Sequence, residues 1–219
     1  MKLICVGGTS SGCGKTSVVS LLLQALPGWA AVKVTPSRED GVCPHGEPCS
    51  ACVPPEAGYE VVTGPEILSK FGKDTARFME SAPSRVAWAR APTERIPEAL
   101  ESALAEFPDA PGAIIESTTA MPVVDGLRIL VTRVGLTEVK DSARRAAESI
   151  DLLAVNVEAN SDWERVSMVP RLRELAPRAE IVRVCAVLPP EDAMNTGFIA
   201  AVRLAVDGWF GDSGTPRGN

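Results

Sequence analysis

Residues 7–17 read GGTSSGCGKTS and directly follow the apolar run Leu3, Ile4, Cys5 and Val6. An apolar strand, a glycine-rich turn and a helix opening at Lys15-Thr16 form the layout that cradles a phosphate. Gly8, Gly12 and Gly14 permit the tight turn that aims successive backbone N–H groups at an anion. The helix N-terminus adds partial positive charge, Lys15 can reach a β- or γ-phosphate, and the Thr16 hydroxyl can ligate Mg²⁺. Ser11, Cys13 and Ser17 complete the residues placed to line a nucleotide. The common pattern puts glycine five positions before the glycine of Gly-Lys; here Thr9 stands there and Gly8 precedes it. An ordinary glycine-rich turn does not account for Lys15-Thr16 at the helix start, so nucleotide binding is the reading.

A second constellation lies at Cys43, His45, Cys49 and Cys52, three thiols and the chain's single imidazole within ten residues. Cys₃His is a legitimate tetrahedral zinc set, and three thiolates leaving one iron open suit an iron–sulfur cluster. No second Cys pair follows, so the spacing is not that of a zinc finger. A regulatory dithiol and reduced bystander cysteines are the alternatives. Cys5 and Cys185 lie in apolar runs and are expected to be buried.

Short β-rich runs alternate with amphipathic stretches, which predicts an α/β fold: a single-domain, mainly parallel sheet with helices on both faces. Strands are expected at Leu3–Val6, Ala30–Thr35, Val86–Ala89, Ala113–Glu116, Arg128–Thr132, Leu152–Val155 and Ile181–Cys185. Helices are expected at Thr16–Leu26, Pro65–Phe71, Thr93–Glu106, Thr137–Glu148, Asp162–Leu175 and Ala193–Phe210. In such folds ligands sit beyond the carboxyl ends of the strands. Lys33 ends the second strand and Glu116 the fourth, so both should project to the rim that carries Lys15 and Thr16. A carboxylate there could hold Mg²⁺, and a second lysine could bind a phosphate or an anionic substrate. The bland reading of Lys33 is a snorkelling strand-end lysine. An acid directly after an apolar strand is harder to dismiss, because it brings charge toward the core. Asn156, closing LLAVN, offers a donor and an acceptor to a purine edge, but the Lys-then-Asp sequel of GTP readers is absent, so ATP and GTP both stay open. Asp40 is a further candidate ligand to Mg²⁺, and Asp40, Asp74 and Glu116 compete for orienting an attacking water.

The chain has 219 residues and a net charge of −6. An acidic chain without a basic run argues against nonspecific nucleic-acid binding. No apolar stretch reaches the length that spans a bilayer, and the N-terminus is taken up by the first strand, which leaves no signal peptide. A cytoplasmic location is expected. Residues 1–210 read as one nucleotide-binding domain carrying a Cys-rich loop at about 36–59, and residues 211–219 as a flexible tail.

GTSSGCGKT resembles the modified phosphate loop of dethiobiotin synthetases and of cobyrinic acid diamide synthetases, members of the signal-recognition-particle/MinD/BioD-like class of P-loop NTPases. GKDTARFMESAPSRVAWA, residues 72–89, is similar to a stretch of the molybdopterin-guanine dinucleotide biosynthesis accessory protein, also of this class. There Gly72, Lys73, Asp74, Thr75 and Arg77 fit, while Ser81-Ala82-Pro83 departs from the Ala-Gly-Ala portion. The resemblance follows the order of elements over residues 2–160. It implies the P-loop NTPase fold, with Lys15 and Thr16 on phosphate and Mg²⁺, Glu116 as the second metal-side acid and Lys33 at the strand-two lysine position. Two departures stand out: STTAMP replaces the glycine-rich sequel of the synthetases, and Thr9 and Ser10 stand where MinD-like members carry an extra lysine.

The expected function is a nucleotide-binding accessory or adapter protein in metallocofactor biosynthesis or insertion, molybdenum cofactor included. Slow ATP or GTP hydrolysis would drive it, with catalytic Lys15, Lys33 and Glu116. Expected partners are a client or cofactor-biosynthesis protein and a second copy of the chain, a homodimer that could complete a metal site. The alternative is an ATP-dependent ligase that activates a small carboxylate, as dethiobiotin synthetase does. A third is a noncatalytic nucleotide-binding regulator.

Overall fold

The computed structural model describes residues 1–37, 54–70, 74–81, 85–135, 138–158 and 169–210. Along the chain run β1 (Lys2–Gly8), α1 (Lys15–Ala25), β2 (Ala30–Pro36), β3 (Glu60–Val62), α2 (Pro65–Leu68), α3 (Asp74–Ser81) and β4 (Val86–Ala91). There follow α4 (Ile96–Ala105), β5 (Gly112–Glu116), β6 (Leu127–Arg133), α5 (Asp141–Ala146), β7 (Leu152–Asn156), α6 (Val169–Leu175), β8 (Glu180–Val184) and α7 (Thr196–Phe210). The strands form one sheet in the order β3-β4-β2-β5-β1-β6-β7-β8. Every pairing is parallel except the edge strand β3, which runs antiparallel to β4. The α/β architecture read from the sequence is the observed one.

Successive strand residues point to opposite faces, and both faces are apolar because both are covered. On one face Ile4, Val6, Ile114, Leu127 and Ile129 pack against Val18, Val19 and Leu22 of α1, Phe78 of α3 and Phe198 and Val202 of α7. On the other, Cys5, Val32, Ile115, Leu130 and Leu153 meet Ile96, Ala99 and Ala103 of α4, Ala143 of α5 and Leu172 of α6. The strands beneath α4 are rich in alanine (Ala30, Ala87, Ala89, Ala91 and Ala113), which brings that helix close to the sheet. Cys5, Cys13 and Cys185 are buried free thiols, and burial pushes the Cys5 thiol far above its ordinary range.

Several element bounds differ from those expected. The helix expected from Pro65 to Phe71 is a single turn ending at Leu68, where the Ser69 hydroxyl donates back to the Pro65 carbonyl. The helix expected from Thr137 begins at Asp141, because Lys140 is extended and acts as its N-cap. The last helix begins at Thr196 rather than Ala193. β3 and α3 were not expected, so Glu116 closes the fifth strand rather than the fourth. The candidate ligands Asp40, Cys43, His45, Cys49 and Cys52 lie outside the described residues, as do residues 72–73, 82–84, 162–168 and the tail 211–219. Among the described residues, no helix is long and apolar enough to cross a membrane.

The turn after β8 is held from below by a buried amide. Asn195 accepts from the Cys185 N–H at 2.8 Å and donates to the carbonyls of Cys185, Leu188 and Pro189 at 3.0–3.1 Å. Asn195→Ala would strand these groups away from water. It should cost about 2–3 kcal/mol of stability and lower the melting temperature by roughly 5–10 °C in a thermal melt.

Candidate functional site

β1 lies at the sheet centre between β5 and β6, and the glycine loop leaves its carboxyl end. Both neighbours hold the loop's first turn. The Gly8 N–H donates to Thr118 Oγ1 (2.9 Å) just past β5, and the Thr9 N–H donates to the Val131 carbonyl (2.9 Å) of β6. Thr9, which stands where the common pattern has glycine, is fully buried, and its hydroxyl lies 3.1 Å from that of Thr132. It is an anchor on the neighbouring strand.

Gly12 and Gly14 then adopt φ of +67° and +100°, the left-handed region open to glycine. A Cβ on Gly14 would also sit 2.3 Å from the Asn156 amide. Gly14 is the N-cap of α1, with no side-chain cap and no acid in the first turn. The first N–H groups of α1 are therefore left to meet an anion, with the helix dipole behind them. Lys15 folds back across the loop, its Nζ 3.4 Å from the Ser10 carbonyl. Asn156 ties the loop to the far side of the sheet: its amide donates to the Cys13 carbonyl (3.3 Å) and its carbonyl accepts from Ala186 N–H (3.1 Å). One N–H of the amide is not used by these bonds.

Beside the loop, the sequence candidates Thr16, Lys33 and Glu116 converge, joined by Asp74 from α3. Lys33 Nζ donates to Asp74 Oδ2 and, at 3.3 Å, to Glu116 Oε2. The Thr16 hydroxyl donates to Asp74 Oδ1 at 2.9 Å. Burial works to lower the Lys33 pKa, but the two carboxylates outweigh it and hold the ammonium above its ordinary value. The carboxylates shift in opposite directions against the same lysine. Burial would raise Asp74, yet Lys33 and the Thr16 hydroxyl hold it below the usual range. Burial dominates at Glu116, whose side chain is 4% exposed against 40% for Asp74, and the Asp74 charge adds to it, so its carboxyl is raised. Two carboxylates share one ammonium, which leaves the cluster an excess of negative oxygen. Hard oxygen donors around a residual negative charge suit Mg²⁺, with Thr16, Asp74 and Glu116 as the residues that could hold it. Among the described residues there is no group of three or more His, Cys, Asp or Glu side chains placed for a metal ion. Mg²⁺ needs none, since one or two carboxylates plus phosphate oxygens and water complete its shell.

Arg77 of α3 donates to the Ser17 hydroxyl (2.9 Å) and helps frame a cleft of about 560 Å³ on the outer side of α1. Ser17, Leu21, Arg77 and Glu80 line one side, and the turn from Ala186 to Pro189 lines the other. Asp74, a sequence candidate for orienting a water, stands at the centre of the cluster, whereas nothing in the sequence spacing points to Asn195, which fixes that turn.

No protein-family model matches this chain, and no curated protein matches it in sequence. What defines it is an α/β unit with a mainly parallel sheet and a glycine loop opening onto a half-buried lysine–carboxylate cluster.

Lys33 links the cluster to pH. The depressed Asp74 pKa contributes stability present above its unfolded value near 3.8, and this is lost as pH falls through the folded value. The raised Lys33 pKa contributes stability present below 10.5 and lost as pH rises through the folded value. Glu116 acts in the opposite sense, its contribution falling as pH climbs above 4.5 toward its raised value. Lys33→Met leaves both carboxylates without their cation. It should lower stability at neutral pH by on the order of 2 kcal/mol, a figure reduced for the exposure of Asp74. Thermal melts between about pH 4 and pH 8 should show this loss shrinking toward the acid end as the carboxylates take up protons. A loss independent of pH would make Lys33 a packing residue only.

Proposed function

We propose that this protein is a P-loop NTPase that binds ATP or GTP with Mg²⁺ and serves as a nucleotide-driven accessory or adapter in metallocofactor biosynthesis or insertion. The observation that carries the nucleotide reading is the meeting of Thr16, Lys33, Asp74 and Glu116 at the mouth of a glycine loop whose helix has no cap of its own. In this reading the loop amides and the first turn of α1 receive the β- and γ-phosphates, and Lys15 turns from the Ser10 carbonyl onto them. Thr16 and Asp74, with Glu116 directly or through water, hold the metal. Mg²⁺ held by these residues would supply positive charge to offset the negative charge that develops in phosphoryl transfer. Glu116, buried at the end of β5 beside Lys33 and Asp74, is placed to orient an attacking water if it meets the metal through water. Lys33 keeps both carboxylates in register. The cleft beside Ser17 takes the ribose and base.

The accessory role rests on the Cys43, His45, Cys49 and Cys52 set, which follows Lys33 in the sequence, and on the similarity of residues 72–89 to a molybdenum-cofactor accessory protein. A zinc ion or iron–sulfur cluster is the group these ligands suit. A client or cofactor-biosynthesis protein and a second copy of the chain are the partners in this reading. The ligase alternative rests on the phosphate-loop likeness and on the strand-two lysine Lys33, which would have to exchange an Asp74 or Glu116 partner for an anionic carboxylate substrate. Turnover separates the two, since a ligase is fast only with its carboxylate whereas a switch responds to a protein partner.

Lys15→Ala should weaken equilibrium binding of the Mg²⁺–nucleoside triphosphate by roughly tenfold to a hundredfold and abolish its slow hydrolysis. Wild-type protein that binds neither ATP nor GTP would overturn the nucleotide reading. Protein purified without oxygen should carry stoichiometric zinc or a brown cluster that Cys49→Ser removes without changing nucleotide affinity. A colourless, metal-free wild type would overturn the metallocofactor reading and leave the carboxylate ligase to test.

A further inference from the structure

The connection from β6 to α5 returns to the glycine loop at Lys140. Its N–H donates to the Thr9 carbonyl at 2.9 Å, and its Nζ donates to the Ser11 hydroxyl at 3.0 Å. Lys140 therefore straddles the outer turn of the loop, with Ser10 between its two anchor points. The Ser10 hydroxyl oxygen is shielded from solvent and has no hydrogen-bond partner among the described residues, a state that native structures usually resolve with a ligand or water.

The rim carries three lysines of unequal standing. Lys33 is paired with two carboxylates, whereas neither Lys15 nor Lys140 makes an ion pair among the described residues. Burial, and then the nearby Lys15 ammonium, hold Lys140 below its ordinary lysine value. Lys15 feels the Asp74 and Glu116 carboxylates only at a distance longer than an ion pair. The two ammonium groups gathered on one loop repel each other, and an anion received between them would relieve that repulsion. In a chain of net charge −6, a carboxylate to quench them would be easy to supply. Among the described residues none is in ion-pair contact with either lysine.

We infer that Lys140 is a phosphate-binding residue of the nucleotide site, supplying from the β6–α5 connection the second ammonium that contacts the outer phosphates of a nucleoside triphosphate. The backbone bond to Thr9 fixes where the side chain starts, and the Ser11 hydroxyl holds its head at the loop's open edge. The inference rests on the nucleotide reading proposed above and adds a residue that no phosphate-loop spacing would point to.

Calorimetric titration of the full chain with Mg²⁺ and a non-hydrolysable nucleoside triphosphate, and separately with the monophosphate, tests it. Lys140→Gln should weaken the triphosphate by roughly tenfold to a hundredfold, the range for losing one charge-assisted contact. The monophosphate should change by less than about threefold, a shift well under one such contact. Lys140→Arg should recover most of the loss, and Arg144→Gln, a nearby exposed charge on α5, should leave both affinities unchanged. Melting without nucleotide checks the fold, which the backbone bond to Thr9 should preserve in either variant. Wild-type triphosphate affinity in Lys140→Gln would overturn the inference, as would equal losses for the two nucleotides, which would mean that Lys140 only shapes the loop. A wild type that binds neither nucleotide would overturn the nucleotide reading itself and this inference with it.

Discussion

The ammonium of Lys33 is shared by two carboxylates that reach it from different parts of the chain, Asp74 at the head of α3 and Glu116 at the end of β5. Because Thr16 donates to the same Asp74, the first turn of α1, the second strand and α3 are tied to one point. The cluster has two carboxylates to one paired lysine, while Lys15, which both carboxylates feel at a distance, and Lys140 make no ion pair among the described residues. The rim is thus divided into an anionic side and a cationic side across a single glycine loop. A polyanion that travels with a divalent cation is complementary to both halves at once, which neither a simple anion nor a simple cation would be.

The loop itself is held before any ligand arrives. Thr118 and Val131 fix its entry from the two flanking strands, the buried Thr9 hydroxyl meets Thr132, and Asn156 grips its far end through the Cys13 carbonyl. The bonds come from the segment just past β5 and from β6 and β7, so the shape of the loop depends on several strands of the sheet. Donors fixed in this way lose little freedom when they meet a charged group, which is where preorganised sites gain over flexible ones.

Much of this was legible in the sequence because the parallel strands are continuous apolar runs and the glycine loop has a distinctive order. The strands at residues 2–8, 30–36, 112–116, 127–133 and 152–156 were all anticipated within two residues of their ends, and with them the placing of Lys33 and Glu116 at one rim. What escaped notice has physical causes. β3 is three residues long, too short to show alternation, and is specified by its pairing with β4. α3 reads DTARFMES, in which only Thr75 and Phe78 are buried, so its apolar stripe is too thin to announce a helix. Asp74 is a candidate in the sequence, but its pairing with Lys33 and Thr16 is set by the fold, and Lys140 becomes visible as part of the site only when folding places it beside the loop, a contact set by no local spacing. The reverse holds for the cysteine set, which is plain in the sequence and lies outside the described residues.

The segment from 38 to 59 begins and ends at almost the same place. Ser37 donates to the Ala91 carbonyl at 2.8 Å, and Glu60 stands opposite Arg90, the next residue along β4. The closure of this excursion is therefore secured by the sheet, whatever the excursion contains. Lengthening such a closed excursion costs little, about 0.6 kcal/mol for each doubling of a flexible loop. The fold can in this way carry segments of very different length and chemistry between the same two posts. What the structure fixes are the two ends of this stretch, Ser37 and Glu60, set on opposite sides of β4.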